Sequence, residues 1–210
     1  LEFRRVLFRS GGECPNYGCV PTKSLLQAAE TLEEIKNSPK LGIKVKEVGF
    51  SYQALSAWKN KAIANTGVHE GRSAYEKDGI HVLDGTAHFI NKWQVSVNNT
   101  TYTAKRFLIA TGTKSFMPPI PGLKESGCIT YREALELPTL PKSIFIIGGG
   151  AIGCEFAELY SSLGSKVHIA DTAPRLMPNE DKEAGELLAA LFEDRKSTRL
   201  NSSHTDISRM

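Results

Sequence analysis

A glycine run between a strand pattern and a helix pattern constrains this chain most. Ser143 to Ile147 reads as a short apolar strand. Gly148-Gly149-Gly150-Ala151-Ile152-Gly153 follows, and a helical pattern then runs through Leu163. Lys166 to Ala170 reads as a second strand, with Asp171 at its end. The order is G-x-G-x-x-G set between strand and helix, the arrangement of a dinucleotide-binding turn. Gly148 permits the tight turn, Gly150 lets a backbone approach a pyrophosphate, and Gly153 permits close packing of helix on strand. Ala151 and Ile152 lie within this motif, and the N-terminus of the helix that follows receives the phosphates. Asp171 lies 23 positions after Gly148, where an acid accepts ribose hydroxyls and repels a 2′-phosphate. NAD(H) is therefore favoured over NADP(H).

A second motif lies near the start. Gly11 to Lys23 reads GGECPNYGCVPTK and holds two of the four cysteines, Cys14 and Cys19. Leu25, Leu26, Ala28, Ala29, Leu32 and Ile35 recur at three- and four-residue steps, one face of an amphipathic helix. Pro21 suits the first turn of that helix. The cysteines are thus expected at or just before a helix N-terminus, where partial positive charge favours a thiolate. A close thiol pair there suits reversible disulfide exchange, because the thiolate is the attacking species. A structural disulfide or buried thiols is the plainer reading. Zinc is disfavoured, since no second Cys or His pair follows at ligand spacing.

The GGxCxNxGCxPxK pattern resembles the redox-disulfide signature of the flavin-dependent pyridine nucleotide–disulfide oxidoreductases. That family includes dihydrolipoamide dehydrogenase, glutathione reductase and mercuric reductase. The resemblance implies that Cys14 is the interchange thiol, that Cys19 faces the flavin, and that Lys23 stands near the reactive edge of the flavin ring. It implies FAD as cofactor, with Gly11 and Gly12 beside it. Gly85-Thr86-Ala87 is similar to a G-x-A segment lining the flavin nucleotide, and Ala110-Thr111-Gly112 to the family's ATG segment. Glu155 stands where the family has a glutamate paired with the motif lysine, so an ion pair between Lys23 and Glu155 is expected across the two domains. Pro15 and Tyr17 replace residues that are usually aliphatic, and Thr22 stands where serine is commoner. These departures leave the substrate subgroup open.

The implied fold is α/β, with two Rossmann-like FAD/NAD(P)-binding domains, both truncated. Residues 11–117 would form a partial FAD-binding domain with the redox disulfide, and residues 118–194 a partial NAD-binding domain. Met117 to Gly122 is proline-dense and reads as the crossing between them. The family's chains are longer. An upstream fingerprint for the flavin ADP moiety, and a downstream dimerisation domain with a histidine–glutamate base, are expected outside this sequence. Both domains would then leave apolar sheet edges uncovered. Activity is expected of the complete parent, a homodimer, and not of this fragment alone.

Between the motifs, a long helix is expected from Tyr52 to Lys77, with Leu55, Trp58, Ala62 and Ile63 on one face and Ser51 as N-cap. Gly67 and Gly71 weaken its later half. Short strands are expected at His81–Leu83, Ala87–Ile90, Trp93–Val97 and Tyr102–Ala104, forming a small antiparallel β element. Arg106 to Ala110 reads as a buried strand. Cys128 precedes a strand-like run, and Cys154 reads as a small hydrophobe. His69, His81, His88 and His168 match no ligand spacing, so no metal site is expected.

Composition enters through charge. Residues 1–10 (LEFRRVLFRS) carry a net +2 and residues 195–210 (RKSTRLNSSHTDISRM) a net +3, so of the chain's +3 the residues between hold −2. Both ends resemble translated adaptor or vector sequence and are set aside as non-native flanks. The basic character belongs to them, so no nucleic-acid partner is expected. No run of apolar residues is long enough to span a membrane. With no signal-peptide layout, a cytoplasmic location is expected. The partner is then a small-molecule disulfide or dithiol, or a soft metal ion. The function read from the two motifs is electron transfer between NAD(P)H, flavin and a Cys14–Cys19 disulfide, dihydrolipoamide dehydrogenase-like. A mercuric or glutathione-type reductase is one alternative. Others are a dehydrogenase without flavin and a non-catalytic NAD-binding redox sensor.

Overall fold

The computed structural model describes residues 2–3, 11–194 and 198–201. In chain order its elements are β1 (Glu2–Phe3), α1 (Glu13–Tyr17), α2 (Cys19–Asn37), α3 (Tyr52–Ala64), α4 (Arg72–Lys77), β2 (Ala87–Asn91), β3 (Gln94–Val97), β4 (Thr100–Thr103), α5 (Tyr131–Ala134), β5 (Ser143–Ile147), α6 (Ala151–Ser162), β6 (Lys166–Ala170), α7 (Lys182–Asp194) and β7 (Thr198–Asn201). Single 3-10 turns lie at Ser38–Leu41 and Val68–Glu70. The contacts divide the chain into two units. One is Leu1–Gly18 with Ile63–Cys128, the other Cys19–Ala62 with Ile129–Met210.

The second unit carries the α/β core. β5, β6 and β7 form a parallel sheet in that order, with Ile144 opposite Val167 and Ile146 opposite Ile169. Parallel pairing requires a crossover, and α6 supplies it between β5 and β6. Its buried face (Phe156, Ala157, Leu159, Tyr160) joins Val167 and Ile169 of the sheet and Phe192 of α7 in one apolar cluster. α2 adds Leu25, Ala29 and Leu32 to the same cluster, three of the six residues expected on that face; Leu26 packs against it partly buried, while Ile35 is 37% exposed. Tyr160 is buried, and its hydroxyl donates to the Ala134 carbonyl at 2.8 Å. Burial holds its phenol well above the ordinary value.

Local signals explain the element ends. Ser51 caps α3, its Oγ accepting from Ala54 N–H at 3.3 Å. Thr130 and Glu133 form a capping box at the start of α5. That makes the run after Cys128 a helix start and not a strand. Hydrogen bonds from Thr130 hold the Glu133 carboxyl below its usual range.

The first unit contains an antiparallel sheet in the order β1-β2-β3-β4. The Asn98-Asn99 turn between β3 and β4 has both residues at positive φ, 49° and 64°, as a tight two-residue hairpin requires. The expected antiparallel element is present, with its strand ends shifted by a residue or two.

Three further expectations need correction. The helix expected over 52–77 is broken: α3 ends at Ala64 and α4 starts at Arg72. Gly67, at φ 77°, takes the left-handed conformation that ends helices, and Gly71, at φ 63° and ψ −143°, breaks the helical path just before α4. No strand forms at His81–Leu83. None forms at Arg106–Ala110, where Leu108 is 93% and Ile109 60% exposed. A buried strand needs a neighbouring strand to take its backbone hydrogen bonds and a layer to cover its faces. Phe107 meets Phe89 of β2 edge to face, with ring centroids 5.0 Å apart, but among the described residues of the first unit no strand pairs with this run.

Among the described residues, no helix is long and apolar enough to cross a membrane.

Candidate functional site

The glycine turn in the second unit is built from backbone outward. β5 leads into Gly148, whose N–H donates to the Ala170 carbonyl at 2.8 Å, tying the turn to the end of β6. Gly148 has φ 115°, which a residue with a side chain rarely adopts. A Cβ on Gly153 would stand 2.0 Å from the Gly148 carbonyl oxygen. Only glycine lets α6 come this close to the turn. A Cβ at Gly150 would meet nothing within 4 Å. Gly150 is also the N-cap of α6, and no side chain caps it. The turn therefore presents helix N–H groups to open space, which is the chemistry an anion requires. Ile152 stands beside it, 55% exposed. These residues fit a pyrophosphate.

Asp171 does more than the sequence reading gave it. One carboxylate oxygen accepts from Gly149 N–H, and the other accepts from Ala173 N–H at 2.7 Å. Each oxygen keeps a lone pair for a further donor, so the acid can orient the glycine turn and still receive hydroxyls. Gly149, the central position of the triplet, was missed. Its N–H meets Asp171, and its carbonyl accepts from Met177 N–H at 2.8 Å and from Cys154 Sγ at 3.4 Å. Nothing in the motif marks that position, because its role depends on what β6 delivers beside it. Arg175 was also missed. It donates to the carbonyls of Met177, Pro178, Glu180 and Asp181 and so shapes the loop after Asp171.

Glu155 is the fifth residue of α6. Its carboxylate meets the Lys23 ammonium of α2, so the expected ion pair is present. Both residues belong to the second unit. The side chains are 57% and 31% exposed, so solvent screens the pair and its value lies in orientation more than in stability. Cys19 is the first residue of α2, one turn before Lys23, and its side chain is exposed. A groove of about 400 Å³ runs beside this helix pair, lined by Leu26, Ala151, Cys154, Glu155, Glu158 and Met177 among others. The Cys154 thiol is buried, and burial pushes it up to about 11. It is a neutral thiol at ordinary pH, as the reading of a small hydrophobe requires.

The remaining candidates lie in the first unit. Cys14 is the second residue of α1 and is exposed. Gly12 is the N-cap of α1, and its carbonyl accepts from Asn16 Nδ2 at 2.8 Å. Gly11 N–H donates to the Tyr75 hydroxyl at 3.2 Å. Gly85 packs against the Asn98 side chain, whose Nδ2 donates to the Asp84 carbonyl at 2.5 Å, and Thr86 and Ala87 lead into β2. Ala110, Thr111 and Gly112 form exposed coil, with nothing within 4 Å of a Cβ at Gly112. The structure thus gathers Lys23, Glu155, Gly148, Gly150, Ile152, Gly153 and Asp171 on one unit. Cys14, Gly11, Gly12 and the segments at 85–87 and 110–112 lie on the other. Among the described residues, no group of three or more His, Cys, Asp or Glu could hold a metal ion.

A parallel sheet, an uncapped glycine turn opening a helix, and an acid at the end of the next strand define a dinucleotide-binding α/β protein. Comparison with known proteins makes the class specific. The model of the pyridine nucleotide-disulphide oxidoreductases matches residues 1–209, and the chain belongs to that family. It is 40% identical over 194 residues to a dihydrolipoyl dehydrogenase of Chlorobaculum tepidum, covering 87% of this chain and 40% of that protein. It is 36% identical over 178 residues to a mercuric reductase of Bacillus cereus, covering 85% of this chain and 28% of that one. Among solved structures, a Cu(II) complex of the HOCl-induced flavoprotein disulfide reductase RclA from Escherichia coli superposes with a TM-score of 0.74. The identity there is 28%, with 93% of this chain and 41% of that one covered. The chain therefore spans well under two thirds of the length of these relatives.

Proposed function

We propose that this chain is part of an FAD-dependent NAD(P)H:disulfide oxidoreductase, dihydrolipoyl dehydrogenase-like, that uses Cys14 and Cys19 as its redox pair. The observation that carries this is the Lys23–Glu155 pair. It ties the helix that begins at Cys19 to the helix that begins at the glycine turn, so a thiol and a dinucleotide cradle share one helix pair. FAD would be held by Gly11, Gly12, the segments at 85–87 and 110–112, and Lys23. The open backbone at Gly112 and the half-exposed Lys23 ammonium fit such a ligand. When bound, FAD supplies the two-electron chemistry that links a nicotinamide to a dithiol.

The chain's own residues supply the rest. Gly148, Gly150 and Gly153 hold the pyrophosphate at the start of α6, with Ile152 beside it. Asp171 receives the ribose hydroxyls and disfavours a 2′-phosphate. Reduction of a Cys14–Cys19 disulfide takes two electrons, breaks the S–S bond and leaves two thiolates, one of which takes a proton. Cys19 at the helix start holds its negative charge. Cys14 then attacks a substrate disulfide, forming a mixed disulfide as one substrate thiolate leaves, and Cys19 attacks the Cys14 sulfur, releasing the second substrate thiol and restoring the Cys14–Cys19 disulfide; a soft metal ion would instead be bound by the Cys14 thiolate. Both substrate classes stand behind this reading, because the relatives include dihydrolipoyl dehydrogenases and mercuric reductases. The domain limits at 117 and 118, a homodimeric parent and a cytoplasmic location belong to the same proposal.

Anaerobic titration of the complete protein with NADH tests it. Reduction is expected to bring up the long-wavelength absorbance of a thiolate beside flavin. Cys14→Ser should keep that band, and Cys19→Ser should lose it. No band in the wild type would sink the assignment. Coenzyme choice has its own test. Asp171→Ser is expected to narrow the preference for NADH over NADPH by about tenfold or more, read as a ratio of kcat/KM values, because an unscreened like charge beside a phosphate costs on that order. An unchanged ratio would remove Asp171 from coenzyme selection.

A further inference from the structure

α2 and α6 are joined at two places. Near the start of α2, Lys23 meets Glu155. Near its end, Lys36 Nζ donates to the Ser162 carbonyl at 3.0 Å, and also to Glu33 at 3.0 Å on its own helix. Ser162 is the last residue of α6. The turn beyond it is a Schellman arrangement, with Ser165 N–H on the Tyr160 carbonyl and Gly164 N–H on the Ser161 carbonyl, both at 2.9 Å. Lys36 reaches the next carbonyl along. A cation is favoured there, at the negative end of the α6 dipole.

Apolar packing between the helices fixes their separation better than their register. Leu25, Ala29 and Leu32 repeat at steps that recur every turn, so a slide of one turn, about 5.4 Å, offers similar ridges and grooves. Directional bonds at both ends do not repeat that way. With Lys23 on Glu155 and Lys36 on Ser162, only one register satisfies both.

We propose that Lys36 is a positioning residue for the redox helix: its bond to the Ser162 carbonyl sets the axial register of α2 on α6 that brings Lys23 to Glu155 and so tunes Cys19. This rests on the reading of Cys19 and Lys23 given above. Lys23 stands one turn after Cys19, at the i+4 spacing where helix side chains interact. Glu155 draws part of that positive charge away. A slipped α2 releases Lys23 to the Cys19 thiolate, so losing Lys36 should act on Cys19 as losing Glu155 does.

The test is the pH profile of iodoacetamide alkylation at Cys19, resolved by peptide mass spectrometry in the full chain. Glu155→Gln is expected to speed alkylation at neutral pH by about two- to fivefold, the scale of a helix charge pair acting on thiolate fraction. Lys36→Met should reproduce most of that gain, the double variant should add little to either, and Lys36→Arg should behave as wild type. A role confined to stability would lower the melting temperature of Lys36→Met and leave the Cys19 profile unmoved. That outcome, with Glu155→Gln still active on Cys19, overturns the positioning role. Should Glu155→Gln itself leave Cys19 unchanged, the reading of the ion pair fails first.

Discussion

Replacing Gly153 by valine is expected to abolish nucleotide binding and to destabilise the second unit by about 3 kcal/mol or more, the upper range for forced overpacking against backbone. The cause is local. A Cβ there would lie 2.0 Å from the Gly148 carbonyl oxygen and 3.4 Å from Ile146 Cγ2. The oxygen belongs to a turn already fixed by its hydrogen bond to the end of β6, so it cannot yield as the tip of a side chain would. Relief requires α6 to back away from β5. That shift carries the helix N-terminus off the phosphate position and strains the Phe156 and Leu159 packing beneath it. Gly153→Ala should show the same effects in smaller measure. Urea unfolding and an NADH titration together measure it. A Gly153→Ala protein with wild-type stability and affinity would mean that the close approach is not what holds the turn.

The second large effect is expected at Lys59, which no motif marks. Its side chain is 0% exposed, and its Nζ donates to the Leu135 carbonyl at 2.6 Å and to Glu136 at 2.8 Å. Lys59→Ala is expected to cost about 2–4 kcal/mol, combining a cavity where the stem packed with a buried carbonyl left without its donor. Lys59→Met keeps the stem and isolates the polar part, with an expected cost of about 1–3 kcal/mol. Glu136 adds little to either figure, because its side chain is 59% exposed and returns to water. Denaturant midpoints of the two variants separate the contributions. A Lys59→Met protein as stable as wild type would mean that desolvating the ammonium offsets both of its bonds, an outcome known for buried charges.

Lys59 also illustrates where reading the sequence stopped. The periodicity of α3 put Leu55, Trp58, Ala62 and Ile63 on the inner face, yet Trp58 is 50% exposed, with its Nε1 on the Ser24 carbonyl, while Lys59 is buried. Hydrophobic period finds a face from residue type alone. It cannot know that the C-terminal end of α5 supplies a carbonyl and a carboxylate, and these are what let a lysine go inside. The failed strand at 106–110 has the opposite cause. RFLIA is apolar enough for a core strand, but a strand is defined by the partner it bonds, and no window of sequence contains that partner.

Some features were settled by the sequence alone because they rest on short-range geometry. β5, β6 and the glycine turn fell at their expected residues, since turn, helix start and strand ends are fixed within a few bonds of one another. The capping of α3 by Ser51 and the stripe of Leu25, Ala29 and Leu32 on α2 were local in the same sense. Tertiary structure decided the rest. It put Gly149 N–H on Asp171, turned Arg175 onto four carbonyls, buried Lys59 and set Lys36 on the end of α6. The bonds of Gly149, Lys59 and Lys36 each need a group brought from a different element, at a distance and angle that only packing provides, and Arg175 depends on the fold its own loop takes after β6.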